Sequence, residues 1–235
     1  MGKQTRKCLR GGATGVERNT ANSRRHKARR IEGPRLGRME TASVSCRLAN
    51  SMPQYIALLR GINLGKRRIK MDALRVLFEE LKFAAVATFI ASGNVLFASK
   101  TTAERKLAAL IQAHLAKSLG YEVGPFLRTR AEMATVAAFR PFAARELENP
   151  ANTVHAGFLR EPLSAAQTRE LLACRTGVDE FHIASREFYW LCRIKSHESK
   201  VWASAAMKAV KLPTTTMRNL TTVRKLAAQF PATEA

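Results

Sequence analysis

Residues 55–99 read YIALLRGINLGKRRIKMDALRVLFEELKFAAVATFIASGNVLFAS, and the changes of apolar period inside them decide the fold. Tyr55–Arg60 is a short apolar run, the pattern of a buried strand. Asp72–Lys82 sets Leu74, Leu77, Phe78 and Leu81 at helical spacing, with Asp72 as the expected N-cap. Val86–Ile90 and Val95–Ala98 are strand-like runs on either side of the turn Ala91-Ser92-Gly93-Asn94. Working outward, Thr102–Leu119 carries Leu107, Leu110, Ile111, His114 and Leu115 on one helical stripe, with Gly120 as its C-cap, and Val123–Thr129 reads as a closing strand. The order is β-α-β-β-α-β, the split βαβ or ferredoxin-like pattern.

The second half repeats it. A connecting helix near 131–139 precedes a strand at Thr153–Arg160, a helix at Ser164–Cys174, strands at Phe181–Ala184 and Phe188–Ile194, and a helix at Val201–Val210. Arg218–Phe230 reads as a final helix. Two local echoes support duplication: Leu58-Leu59-Arg60 corresponds to Phe158-Leu159-Arg160, and Ile90-Ala91-Ser92 recurs as Ile183-Ala184-Ser185. The expectation is an α+β chain built as a tandem duplication of two ferredoxin-like halves with antiparallel sheets, the first over 52–130 and the second, with the C-terminal helix, over 131–235.

Charge divides the chain differently. Its net charge is +22. Residues 1–51 hold 13 Lys+Arg against 3 acids, whereas residues 52–235 hold 27 against 15. The first stretch has almost no apolar periodicity, so its composition predicts a disordered basic tail. Met52-Pro53-Gln54 runs straight into the first strand, which makes Met52 an alternative translational start. Nowhere do about 20 consecutive apolar residues occur, so no membrane-spanning helix is expected. Four cysteines without a CxxC fit neither a zinc site nor a disulfide scaffold, and point to a reducing cytoplasm.

The loop Arg60-Gly61-Ile62-Asn63-Leu64-Gly65-Lys66-Arg67-Arg68-Ile69-Lys70 joins two glycines to a run of cations between a strand and a helix. Glycines let backbone N–H groups converge on an anion, and the following helix N-terminus adds partial positive charge. The spacing is neither a Walker A loop nor GxGxxG. In a β-α-β-β-α-β unit the first two strands run parallel. Arg60, Asn63, Gly65 and Lys66 are therefore expected at the same sheet end as Ser92, Gly93 and Asn94, where they could hold a phosphate, a carboxylate or a sugar edge. The competing reading is that Asn63 and Asn94 serve turn geometry and Ser92 ties its own turn. Towards the C-terminus, Arg218 and Asn219 sit in a stretch dense in hydroxyls and cations, where capping alone would not call for them.

Arg60-Gly61-Ile62-Asn63 with Met71 and Leu74 behind it, Ser92-Gly93-Asn94, Ser199-Lys200 and Thr216-Met217-Arg218-Asn219-Leu220-Thr221-Thr222-Val223-Arg224-Lys225-Leu226 together resemble the bacterial domain-of-unknown-function family 1697. The resemblance runs from about Pro53 to Phe230. It implies an α+β chain of two ferredoxin-like halves and no established activity. The family pattern shows a Trp where Leu220 stands, and the basic tail lies outside it.

Catalytic signatures are weak. No His pair has helical spacing with a Glu, so no metal site is expected. Ser199 and Lys200 carry the residue types of a nucleophile and its base, although Lys200 reads better as an anion-contacting cation. Cys174 and Cys192 lie in apolar context, as inert thiols do. Only Phe97 stands where an RNA-recognition strand needs several aromatics. Alternation puts Phe188 and Trp190 on one sheet face and Tyr189 on the other. The sequence therefore predicts a cytoplasmic protein without cofactor or metal. Its expected ligand is anionic, with nucleic acid favoured over the alternatives of an enzyme acting on a small phosphorylated or carboxylated metabolite and of a structural or partner-binding module. The contacting set is Arg60, Asn63, Gly65, Lys66, Ser92, Asn94, Lys200, Arg218 and Asn219.

Overall fold

The computed structural model describes residues 52–65 and 67–231; the basic tail and Lys66 lie outside the described residues. In the first half, β1 (Gln54–Arg60), α1 (Met71–Glu80), β2 (Ala84–Phe89), β3 (Asn94–Ala98), α2 (Glu104–Leu119) and β4 (Gly124–Thr129) follow one another. Their strands pair antiparallel in the order β2-β3-β1-β4. Two connecting helices, α3 (Arg130–Ala138) and α4 (Ala144–Glu148), lead to the second half. There β5 (Thr153–Phe158), α5 (Ala165–Ala173), β6 (Asp179–Ala184), β7 (Glu187–Cys192), a 3-10 turn at Val201–Ala203, α6 (Ala205–Ala209), β8 (Thr216–Asn219) and α7 (Leu220–Gln229) follow. Their strands pair antiparallel in the order β6-β7-β5-β8, matching the first sheet. The chain is α+β, with two similar halves.

Alternation along β1 explains the layering. Tyr55, Ala57 and Leu59 face α1 and α2, where Leu74, Phe78, Leu107, Ile111 and Leu115 complete one core. Ile56 and Leu58 face the other way. They join Ala156, Phe158 and Tyr189 of the second sheet and Met133, Val136, Leu220, Val223 and Leu226 of α3 and α7 in a shared central core. On the outer face of the second sheet, Phe188 and Trp190 pack with Leu171, Val201 and Met207, so Tyr189 and its two neighbours divide between faces. The two sheets thus bury their inner faces against one another. Gly157 makes the second sheet possible, because a Cβ there would lie 2.1 Å from the Phe188 ring.

Three local readings change. Asp72 is not the N-cap of α1: the helix starts at Met71 after Lys70, and Asp72 instead faces the positive helix end from the first turn. The helix expected at Val201–Val210 breaks at Ser204, whose hydroxyl accepts from the Met207 N–H and starts α6 afresh. The final helix begins at Leu220, because Thr216–Asn219 is extended and pairs with β5 as the fourth strand. No helix among the described residues is long and apolar enough to cross a membrane.

Candidate functional site

The loop after β1 and the β2–β3 hairpin meet at one end of the first sheet. Five of their residues occupy the left-handed region: Gly61 (φ 87°), Asn63 (52°), Gly65 (55°), Ile90 (49°) and Gly93 (75°). A β-branched residue there is strained by roughly 1–3 kcal/mol, so Ile90 marks a conformation that its surroundings impose. Asn63 does the local work. Its Oδ1 accepts from the Ile69 N–H (2.8 Å), closing the loop, and its Nδ2 donates to the Ala91 carbonyl (2.9 Å), tying loop to hairpin. Its carbonyl also accepts from Arg68. Gly93 lies so close beneath the loop that a Cβ would sit 2.3 Å from Ile62 Cγ2.

Asn94 is fully buried. Its Nδ2 donates to the Phe89 carbonyl (3.0 Å) and to Ser92 Oγ (2.9 Å), while its Oδ1 accepts from Arg218 Nε at 2.7 Å. Arg218 projects from β8, is itself buried, and gives its remaining N–H groups to Thr216 Oγ1 and to the carbonyls of Met217, Leu59 and Ser92. Among the described residues it pairs with no carboxylate, and burial pushes its pKa down to about 10. Its donors are occupied by protein oxygens, so Arg218 clamps the second half to the base of the loop site and is not an exposed ligand contact.

The same clamp exists in reverse. Arg128 of β4, paired with Ile56 as Arg218 is paired with Ala156, reaches into the second half. Its Nε donates to Glu187 Oε1 (2.6 Å), its Nη1 to the Leu127 carbonyl and its Nη2 to the carbonyls of Leu159 and Arg186. Glu187 therefore stands where Asn94 does, and Leu159 where Leu59 does. Arg128 and Glu187 escape the sequence reading, although the two echoes already align their neighbourhoods; reading β8 as a strand would have completed the match.

The remaining expected residues separate. Asn219 turns away from the loop and caps α7, its Oδ1 accepting from the Thr221 N–H at 2.8 Å. Lys200 is exposed beside Ser199, whose hydroxyl donates to Asp179 Oδ1 (2.7 Å) at the start of β6. Asp179 is buried and also accepts from Trp190 Nε1 and Thr176 Oγ1, each at 2.8 Å, so Ser199 is a link in a structural network rather than the partner of Lys200. Burial raises the pKa values of the Cys174 and Cys192 thiols. Among the described residues, no group of His, Cys, Asp and Glu converges as metal ligands.

What stays on the surface at the loop is cationic with an apolar tip. Arg60, Arg67, Arg68 and Lys70 are exposed, and none forms an ion pair among the described residues. The Arg67 guanidinium lies 4.6 Å over the Tyr121 ring, a placement that fixes its direction. Leu64 is 63% exposed and Ile90 49%, on either side of the Asn63–Ala91 bond.

Comparisons with known proteins agree with this architecture. The conserved bacterial protein SP0830 from Streptococcus pneumoniae is 21% identical in sequence, with a TM-score of 0.60 over 77% of this chain and 100% of that one, a likeness of fold. No curated protein matches the chain. The family described as protein of unknown function (DUF1697) matches residues 52–189, over half of the sequence and including both the loop and the hairpin. The chain belongs to the DUF1697 family.

Proposed function

We propose that this protein binds an anionic ligand at the loop 60–70, and that the ligand is the phosphate backbone of a nucleic acid, met in a reducing cytoplasm. The observation that carries the reading is the row of exposed cations Arg60, Arg67, Arg68 and Lys70, unmatched by any described acid and flanking Asn63, which is tied to Ile69 and to the hairpin. Cations paired to neighbouring carboxylates would attract phosphate weakly. These are not so paired, and the excess of 27 Lys+Arg over 15 acids in residues 52–235 adds long-range attraction. Asn63 and Gly93 order the loop before any ligand arrives, which lowers the entropic cost of binding. Leu64 and Ile90 offer apolar contact to sugars or unstacked bases between the cations. Arg218 and Asn94 are positioning residues: they hold the hairpin on which the loop rests.

Cross-linking tests the location. The full chain is irradiated with thiouridine-substituted RNA, and the linked peptides are identified by mass spectrometry. The reading expects links within 60–70 and at the hairpin tip near Ile90. Links confined to other segments would overturn it.

A further inference from the structure

A second concavity has a lining that includes none of the residues 60–70. A cavity of about 560 Å³ opens between α2 and β4 of the first half and, in the second, the segment after β5 and the β6–β7 turn. That volume is in the range of small-molecule sites, which favour such boundaries between structural halves. The segment after Arg160 is short: only 161–164 separate it from α5, against positions 61–70 between the equivalent Arg60 and α1.

The ion pairs around the cavity leave one cation without a carboxylate partner. Arg105 pairs with Glu161 at 2.8 Å. Arg186 pairs with both Glu104 at 2.9 Å and Glu132 at 2.6 Å, so this cluster holds one acid more than its cation. Arg160 is left over. It is exposed, its Nη2 donates to Gln112 Oε1 at 3.2 Å, its guanidinium lies 5.5 Å over the Phe126 ring, and it forms no ion pair among the described residues. The Gln112 amide, accepting through oxygen, keeps its N–H groups for a ligand. Ala108, Ala109, Pro125 and Leu127 give the wall an apolar stretch beside this polar pair.

The geometry points to a binding site for a small monocarboxylate with a compact apolar body, its carboxylate on Arg160 and Gln112 and its body against Ala108, Ala109 and Leu127. Arg160 offers one guanidinium to one acid group, and the surplus carboxylate of the Arg186 cluster disfavours a doubly charged phosphate ester beside it. The site needs nothing from the loop at 60–70 and stands or falls separately from nucleic-acid binding.

Phenylpropionate and its uncharged analogue phenylpropionamide are titrated into the full chain and followed by heteronuclear NMR at the Ala108, Ala109 and Gln112 amides. The carboxylate should give saturable shifts at these positions and bind about tenfold or more tightly than the amide, the effect of one charge-assisted contact. Arg160→Gln should erase that preference. Ala109→Phe, on an exposed helix face and with Arg160 intact, should block both probes by filling the cavity. Absence of saturable shifts through the millimolar range, equal affinity for acid and amide, or unchanged affinity in Arg160→Gln would each overturn the assignment.

Discussion

Truncating Arg218 to Ala tests the link between the two halves and the loop. The guanidinium donates to Asn94 Oδ1 at 2.7 Å and to the carbonyls of Leu59 and Ser92 at 2.9 Å each, all in the other half of the chain. A buried acceptor that loses its partner costs about 1–3 kcal/mol, so the loss is roughly 3–9 kcal/mol. One term opposes it. Burial of an unmatched charge lowers the guanidinium pKa to about 10, a penalty of about 3 kcal/mol that disappears with the side chain. The mid-range balance is a destabilisation of about 3 kcal/mol, or roughly 6–12 °C in Tm for a body of this size. Urea and thermal unfolding of the full chain, followed by circular dichroism, give the number. An unchanged or raised stability would refute the clamp, because the loss from the three acceptors would then not exceed the charge penalty of about 3 kcal/mol. The mate sharpens the test. Arg128→Ala strands the Glu187 carboxylate in a buried place and should cost more than Arg218→Ala. Glu187→Gln should cost less than Glu187→Ala, since Asn94 already shows that an amide oxygen can receive a clamp arginine.

Gly93→Ala should destabilise by about 1–3 kcal/mol, because φ is +75° and the new methyl meets Ile62 Cγ2; an unchanged urea midpoint would contradict this. Ile90→Asn, which tolerates a φ of +49°, should raise stability by about 1 kcal/mol while weakening RNA binding; a loss of stability would show that Ile90 is not strained. His155, stacked 4.9 Å from Trp190, has its pKa lowered from 6.5 by burial. Above pH 6.5 it is neutral in both states. As pH falls through that value the unfolded chain takes up the proton first, so stability declines until the lower folded pKa is passed. His155→Phe should remove this decline, and parallel profiles for the two proteins would exclude His155 as its cause.

The element order was legible because apolar spacing switches between two and 3.6 residues, and because Gly120 and Ser164 stand at helix ends whose backbone needs them. What the pattern could not reveal depends on partners distant in the chain. Thr216–Asn219 is too short and too polar to announce a strand; it becomes one by pairing with β5. Arg218 has the same composition whether it meets a phosphate or the carbonyls of Leu59 and Ser92, and only the burial of β8 decides between them. The joining of Asn63 to the hairpin was accessible from topology, since parallel β1 and β2 bring their ends together. Lys200 was not, because proximity in the motif order carries no information about which end of a sheet a side chain occupies. Glu187 looks like a turn residue until the halves are superimposed in register.

The most direct test of anion binding at the loop is a salt titration of duplex DNA affinity, comparing the full chain with the variant Arg60→Gln, Arg67→Gln, Lys70→Gln. Any contribution from the basic residues 1–51 is common to both proteins and cancels in the comparison. Three phosphate contacts should make the variant's slope of log K against log salt shallower by about 2–3, with weaker binding at low salt. Superimposable titrations would contradict the account and remove the loop as the site of phosphate recognition.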